Sequence, residues 1–212
     1  MNLEKLWLEK IKLTLASKNI AVLISGGGTN LQAIIDNTEN NYINGKIKIV
    51  ISNREDAYGL VRAEKSGIPG FCIKDDEELI SKVSENNIDL IILAGYLKIL
   101  PEKITKIYEN KIINIHPSLI PAFCGRGYYG LKVHEAVIKR GVKYTGATSH
   151  FVNEGADEGP IIMQRIVEVE DESPEELQQK VLKIEHEILP LSVKYFCEDK
   201  LKVVNGKVVI GG

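Results

Sequence analysis

Three strongly apolar runs, residues 20–24, 47–51 (broken only by Lys48) and 88–94 (broken only by Asp89), are each followed by a segment with helical spacing, and this alternation constrains the fold most. A strand with one face in water alternates apolar and polar residues, whereas a strand covered on both faces is apolar throughout. Buried strands alternating with helices pair in parallel through crossover connections, which predicts an α/β fold with a doubly wound, mostly parallel sheet of Rossmann type. The spacing places crossover helices at 31–40, 57–65 (stopped by Gly67), 76–85 and 101–108, with a further strand at 112–115 before Pro117. A glycine-rich, irregular stretch, 122–130, precedes a helix at 131–140 and strand-like runs at 144–152 and 161–169. A long helix follows, with Ser173 as N-cap, Pro174 in the first turn and Glu176 three residues after the cap. The tail, 201–210, reads as a hairpin turning at Asn205-Gly206.

At the other end Leu3, Leu6, Trp7 and Ile11 recur at helical spacing among Glu4, Lys5, Glu9 and Lys10. This predicts an amphipathic helix within a 1–18 extension, whose stripe must dock on its own domain or on another subunit, because a short isolated helix is marginal in water. No repeat or linker divides residues 19–212, which are expected to form one domain. With 44% hydrophobic and 26% charged residues the chain can bury a core. Its 27 basic and 29 acidic residues leave a net charge of -2, so no diffuse attraction to nucleic acid or anionic membrane is expected and any anion needs a local site. Cys72, Cys124 and Cys197 are odd in number and widely spaced, which fits a reducing, cytoplasmic setting, and no uninterrupted apolar leader opens the sequence.

Ser25-Gly26-Gly27-Gly28-Thr29-Asn30 lies between the first strand and the first helix, where backbone amides and a helix N-terminus converge. Leu31 occupies the place of the third glycine of a dinucleotide fingerprint, and no Gly-Lys-Ser/Thr follows as in a P-loop. Two readings remain: a cradle for one phosphate, with help from the Thr29 hydroxyl, or a tight turn capped by Thr29 or Asn30. Asn114-Ile115-His116-Pro117-Ser118 falls at the carboxyl edge of the sheet, where open α/β folds bind ligands, and alternation puts Asn114 and His116 on one face. A carboxamide donor beside an imidazole suits stabilisation of an oxyanion with proton transfer near neutral pH; a histidine alone is as readily structural. Asp157, in the loop 153–160, would raise the pKa of His116 if paired with it, and would otherwise be a solvated loop acid. His116, His134, His150 and His186 show no metal-ligand spacing, so no metal is expected. Neither Ser118 nor Cys124 has a nucleophile's sequence context, which favours direct transfer between bound substrates.

Six segments in order, AVLISGGGTNLQAIID, ILAGYLKIL, IINIHPSLIPAF, TGATSHFV, DEGPIIMQ and IEHEILP, spread from Asn19 to Tyr195, resemble the folate-dependent glycinamide ribonucleotide (phosphoribosylglycinamide) formyltransferases. The resemblance implies the formyltransferase fold and formyl transfer from 10-formyltetrahydrofolate, a co-substrate, to the amine of phosphoribosylglycinamide in purine synthesis. It implies a catalytic trio of Asn114, His116 and Asp157, with Thr148 and His150 lining the reacting centre. Gly27, Gly28, Thr29, Asn30 and Pro117 would bind the phosphoribosyl substrate, and Glu185 its ribose hydroxyls. Leu97, Lys98, Ile99 and Leu100, with Asn153, Glu154, Gly155 and Ala156, would wall the folate pocket.

Residues 1–18 match nothing in many members of this family, the segment 71–78 is shorter than in several, leaving a basic contact near Lys74 unplaced, and 123–129 departs from common versions of its loop. Methionyl-tRNA formyltransferase shares the Asn-x-His core but resembles a longer chain with a nucleic-acid-binding domain. Formyltetrahydrofolate deformylase shares the trio yet usually carries an additional N-terminal domain, and the 26–30 loop favours the transferase. A non-catalytic folate- or nucleotide-binding module would have no need of His116 and Asp157 together. Partners are then the two small molecules, without nucleic acid or membrane, and a homodimer is left open.

Overall fold

The computed structural model describes residues 17–211, and the helix expected around Leu3, Leu6, Trp7 and Ile11 lies outside them. In chain order the elements are β1 (Lys18–Ile24), α1 (Thr29–Glu39), β2 (Gly45–Ser52), α2 (Tyr58–Lys65), β3 (Gly70–Cys72), α3 (Asp76–Glu85), β4 (Leu90–Leu93), α4 (Glu102–Ile107) and β5 (Ile112–His116). They continue with α5 (Leu131–Arg140), β6 (Tyr144–Phe151), β7 (Ile161–Glu168), α6 (Pro174–Cys197), β8 (Leu201–Val204) and β9 (Lys207–Ile210). The apolar runs become β1, β2 and β4, fully buried over most of their length because helices cover both faces.

Seven strands form one sheet in the order β3-β2-β1-β4-β5-β6-β7. The five strands from β3 to β5 pair in parallel, and β6 and β7 continue the sheet antiparallel. After β3 the chain crosses to the other side of β1, so a switch point opens between the carboxyl ends of β1 and β4, the place where such sheets receive ligands. Alternation along β1 divides the core. Ile20, Val22 and Ile24 pack in one layer with Leu31, Ile34, Leu177, Val181 and Leu189. Ala21 and Leu23 pack in the other with Leu79, Val83 and Ile104. Each fully buried aliphatic side chain contributes about 1.5–3 kcal/mol.

Local signals explain the ends of the elements. Ser173 accepts from the Glu176 amide and the Glu176 carboxylate returns to the Ser173 amide, the reciprocal capping that starts α6. The β8–β9 hairpin turns where expected, with Asn205 at φ 51 and Gly206 at φ 73, the left-handed pair that a two-residue turn demands. The three-residue β3 was not expected from sequence: it is too short for a periodic pattern and pairs with β2 alone.

Candidate active site

Strand register assembles the centre of the site. In the antiparallel β5–β6 pair Asn114 lies opposite His150, and His116 opposite Thr148. Directly opposed residues share a face, as do residues two apart along a strand, so all four side chains rise from one patch of sheet. Asp157 arrives from the loop after β6, held in the left-handed region at φ 61, which aspartate tolerates better than most residues.

Hydrogen bonds fix the protons. His150 Nδ1 lies 2.8 Å from the Phe151 carbonyl, which can only accept, so Nδ1 carries the hydrogen and Nε2 of the neutral ring is an acceptor. Asn114 Nδ2 donates to that Nε2 at 3.1 Å and to Asp157 Oδ1 at 3.4 Å, which sets the orientation of the carboxamide. The 3.6 Å between His150 Nε2 and Asp157 Oδ1 is too long for a hydrogen bond. By the same reasoning His116 donates Nε2–H to the Phe123 carbonyl at 2.9 Å, leaving Nδ1 facing Asp157 Oδ2 at 3.6 Å.

Burial holds the His116 imidazole below its ordinary pKa, and the Asp157 carboxylate opposes that by raising it. Burial alone would raise the Asp157 carboxyl; contact with the His150 ring, the charge of His116 and the Gly125 amide, which donates to Oδ2 at 2.8 Å, together hold it below the usual carboxylate value. Asp157 is therefore an anion beside a neutral imidazole near pH 7, and a proton arriving at His116 Nδ1 would meet that anion directly.

Thr148 belongs to the scaffold of this centre. Its hydroxyl donates to the Ser118 carbonyl at 2.6 Å and accepts from the Ile120 amide and Gln164 Nε2, so no donor is left for a ligand. Partly buried Pro117 opens the turn that Thr148 braces.

The glycine loop lies at the carboxyl end of β1. Gly28 caps α1 at φ 71, and a Cβ there would stand 2.7 Å from Gly59 Cα, so only glycine lets α2 approach. Neither Thr29 nor Asn30 caps the helix, since both lie inside α1 and Gly28 makes no side-chain bond. Asn30 instead donates Nδ2–H to Glu185 Oε2 at 2.6 Å, leaving its own buried Oδ1 without a partner. Glu185 is buried on α6, and that burial pushes its carboxyl above the ordinary value. On the opposite flank Leu97 is 54% and Ile99 65% exposed, apolar surface at the mouth of the switch point. Leu100 is buried behind them. Lys98 binds the Lys74 carbonyl at 2.6 Å and Asp76 at 2.5 Å. Lys74 itself is paired with Glu55 at 2.9 Å. Asn153 closes its loop by accepting the Gly155 amide at 3.0 Å, Glu154 lies 3.8 Å from Lys106, and Ala156 leads directly into Asp157.

Two contributors escape a reading of the sequence. Ser25 donates to Asn53 at 2.6 Å and accepts the Leu97 amide at 2.8 Å, tying the glycine loop to the apolar flank. Arg62 of α2 donates to the Gly27 carbonyl at 2.8 Å. The one sequence signal for Arg62 is Gly59, a glycine in the first turn of a helix, where a close backbone neighbour is to be expected.

Comparison with known proteins agrees with this architecture. Residues 18–193 match the formyl transferase family, and the chain belongs to that family. The phosphoribosylglycinamide formyltransferase of Haemophilus influenzae is 42% identical over 205 residues, 92% of this chain and 94% of that protein. The chloroplastic enzyme of the same name from Vigna unguiculata is 37% identical over 91% of this chain, which spans 65% of the length of that relative. Among solved structures, glycinamide ribonucleotide transformylase 1 from Symbiobacterium toebii superposes with a TM-score of 0.87 at 38% identity, covering 92% of this chain and 95% of its own. A formyltetrahydrofolate deformylase from Pseudomonas syringae superposes with 0.86 at 28% identity, over 94% of this chain and 67% of its own.

Proposed function

We propose that this chain transfers the formyl group of 10-formyltetrahydrofolate to the amine of 5'-phosphoribosylglycinamide, a step of purine synthesis. The observation that carries the reading is the convergence of Asn114, His116 and Asp157 within 3.6 Å contacts at the carboxyl edge of the sheet, the same edge that carries the glycine loop and the apolar flank. The amine attacks the formyl carbon and a tetrahedral adduct forms. Asn114 exchanges its long 3.4 Å bond to Asp157 for one to the oxyanion, and His116, protonated at Nδ1, adds positive charge beside it. A proton leaves the attacking nitrogen, collapse of the adduct breaks the bond to the folate N10, and N10 takes up a proton. Asp157 stabilises His116 while it carries charge and, through water, accepts the amine proton. His150 holds Asn114 in its donor orientation. The loop 26–30 and Glu185 bind the phosphate and ribose, and residues 97–100 and 153–156 form the folate walls. Mostly apolar walls with a few polar groups suit a flat heterocycle.

The reading extends to residues 19–212 acting as one catalytic unit with 1–18 as an extension, to a cytoplasmic location and to small molecules as the partners. Among the described residues no helix is long and apolar enough to cross a membrane. The deformylase likeness supports hydrolysis of the same folate as a second reading. Purified protein assayed with 10-formyltetrahydrofolate, with and without phosphoribosylglycinamide, separates them. Acceptor-dependent formylation is expected; formate release indifferent to acceptor overturns the transferase reading.

A further inference from the structure

The peptide planes of the glycine loop are set from one side. The Gly26 carbonyl accepts the Gly59 amide at 3.0 Å, and the Gly27 carbonyl accepts Arg62 Nε–H at 2.8 Å. A trans peptide points its N–H opposite to its C=O, so with both carbonyls turned toward α2, the N–H groups of Gly27 and Gly28 face away from it. Arg62 is built into this arrangement. A Cβ on Gly28 would lie 3.4 Å from its Cδ, its guanidinium stands 5.2 Å from the centre of the Tyr58 ring, and Nη1 donates to Gln32 Oε1 at 3.1 Å. Among the described residues no carboxylate pairs with it. The nearest link to an acid runs through the Gln32 amide, which hands on to Asp36 at 2.8 Å. The charge is felt locally: the His186 imidazole is lowered first by burial and then by Arg62. On the same helix terminus buried Asn30 turns its Nδ2–H to Glu185 and makes no bond through Oδ1, so it offers the loop no competing contact.

We propose that Arg62 is a positioning residue for the substrate's phosphate: it draws the Gly27 carbonyl out of the loop's anion-binding face, aims the Gly28 N–H into it, and adds an uncompensated positive charge behind it. This rests on the reading of the glycine loop as a phosphate cradle. A neutral donor would orient the same peptide, but only a cation also offsets the repulsion between a dianion and the neighbouring carbonyls.

Arg62→Met keeps the length of the stem and removes the donors, and Arg62→Lys keeps the charge. Both are compared with wild type in steady-state kinetics using phosphoribosylglycinamide and its dephosphorylated counterpart, in calorimetric binding of ribose 5-phosphate, and in thermal melting. For Arg62→Met, KM for the phosphorylated acceptor should rise about tenfold or more, the loss expected for one charge-assisted bond, with kcat nearly unchanged. The dephosphorylated acceptor should show no change, the ribose 5-phosphate Kd should rise by the same factor, and Arg62→Lys should recover part of both. Equal effects on the two acceptors, an unchanged Kd, or no ribose 5-phosphate binding by wild type overturns the assignment. Phosphate binding that depends on Arg62 in a protein forming no formylated product would uphold it while removing the proposed activity.

Discussion

Replacing Asp157 by Asn removes one negative charge and, with its single oxygen kept on Gly125, the long 3.4 Å bond from Asn114. Asn tolerates the left-handed backbone at φ 61 and has nearly the same size, and its Oδ1 can still accept the Gly125 amide that Asp157 Oδ2 receives at 2.8 Å. What disappears is the anion 3.6 Å from His116 Nδ1. At that separation, with an effective dielectric near 20, the pair is worth at most about 5 kcal/mol once the imidazole is fully charged, and about half that if charge is half developed in the transition state. Since about 1.4 kcal/mol is tenfold in rate, kcat should fall by roughly 10² to 10³, with KM for the phosphoribosyl substrate within about threefold of wild type. Asp157 raises the His116 pKa against its burial, so the limb of the pH–rate profile that reports His116 should move to lower pH in the variant. Steady-state rates from pH 5 to 9 provide the test. A kcat within fivefold of wild type, or a limb that stays in place, would show that the carboxylate does not act through the imidazole.

Gly28→Ala should lower stability by about 1–3 kcal/mol, because φ 71 strains alanine and the new Cβ meets Gly59 Cα at 2.7 Å; an unchanged urea midpoint would contradict that approach. Ser173→Ala removes the cap of α6 and should cost about 1 kcal/mol, seen as a fall of a few degrees in Tm. Burial, reinforced by the charge of His116, pushes buried His134 from 6.5 down to about 4. Its folded pKa lies below the unfolded one, so stability is complete above pH 6.5 and is lost as pH falls toward 4, about 2 kcal/mol of it by pH 5. In urea titrations His134→Gln should flatten that decline, and an identical slope would exclude His134 as its source.

The parallel part of the sheet was legible because the buried stretches of β1, β2 and β4, residues 20–24, 49–51 and 90–93, are apolar without interruption, a pattern that burial on both faces imposes. Asn114 and His116 could be placed on one face by alternation alone. Their meeting with His150 could not, since it depends on β6 pairing antiparallel with β5 in one particular register, and a mismatch of one residue would turn His150 to the opposite face. Asp157 was legible as a candidate but not as a neighbour: its reach depends on a left-handed residue in a loop without periodicity. Arg62 was silent for a related reason. It sits in an ordinary amphipathic helix, and only the contact of Gly28 with Gly59 brings that helix to the glycine loop. Of the two readings of the glycine loop, the cap at Thr29 or Asn30 is not realised: Gly28 holds the cap position, and Asn30 turns to Glu185 instead.

The carboxylate of Asp157 faces His116 while also gripping the amide of Gly125, in a segment that precedes it by 32 positions. Swapping the stretch 122–130 alone for a homologue's counterpart would thus detune the imidazole even with every reacting side chain retained. Chimaeras of this protein should transplant 122–130 and 153–160 together, as a matched pair.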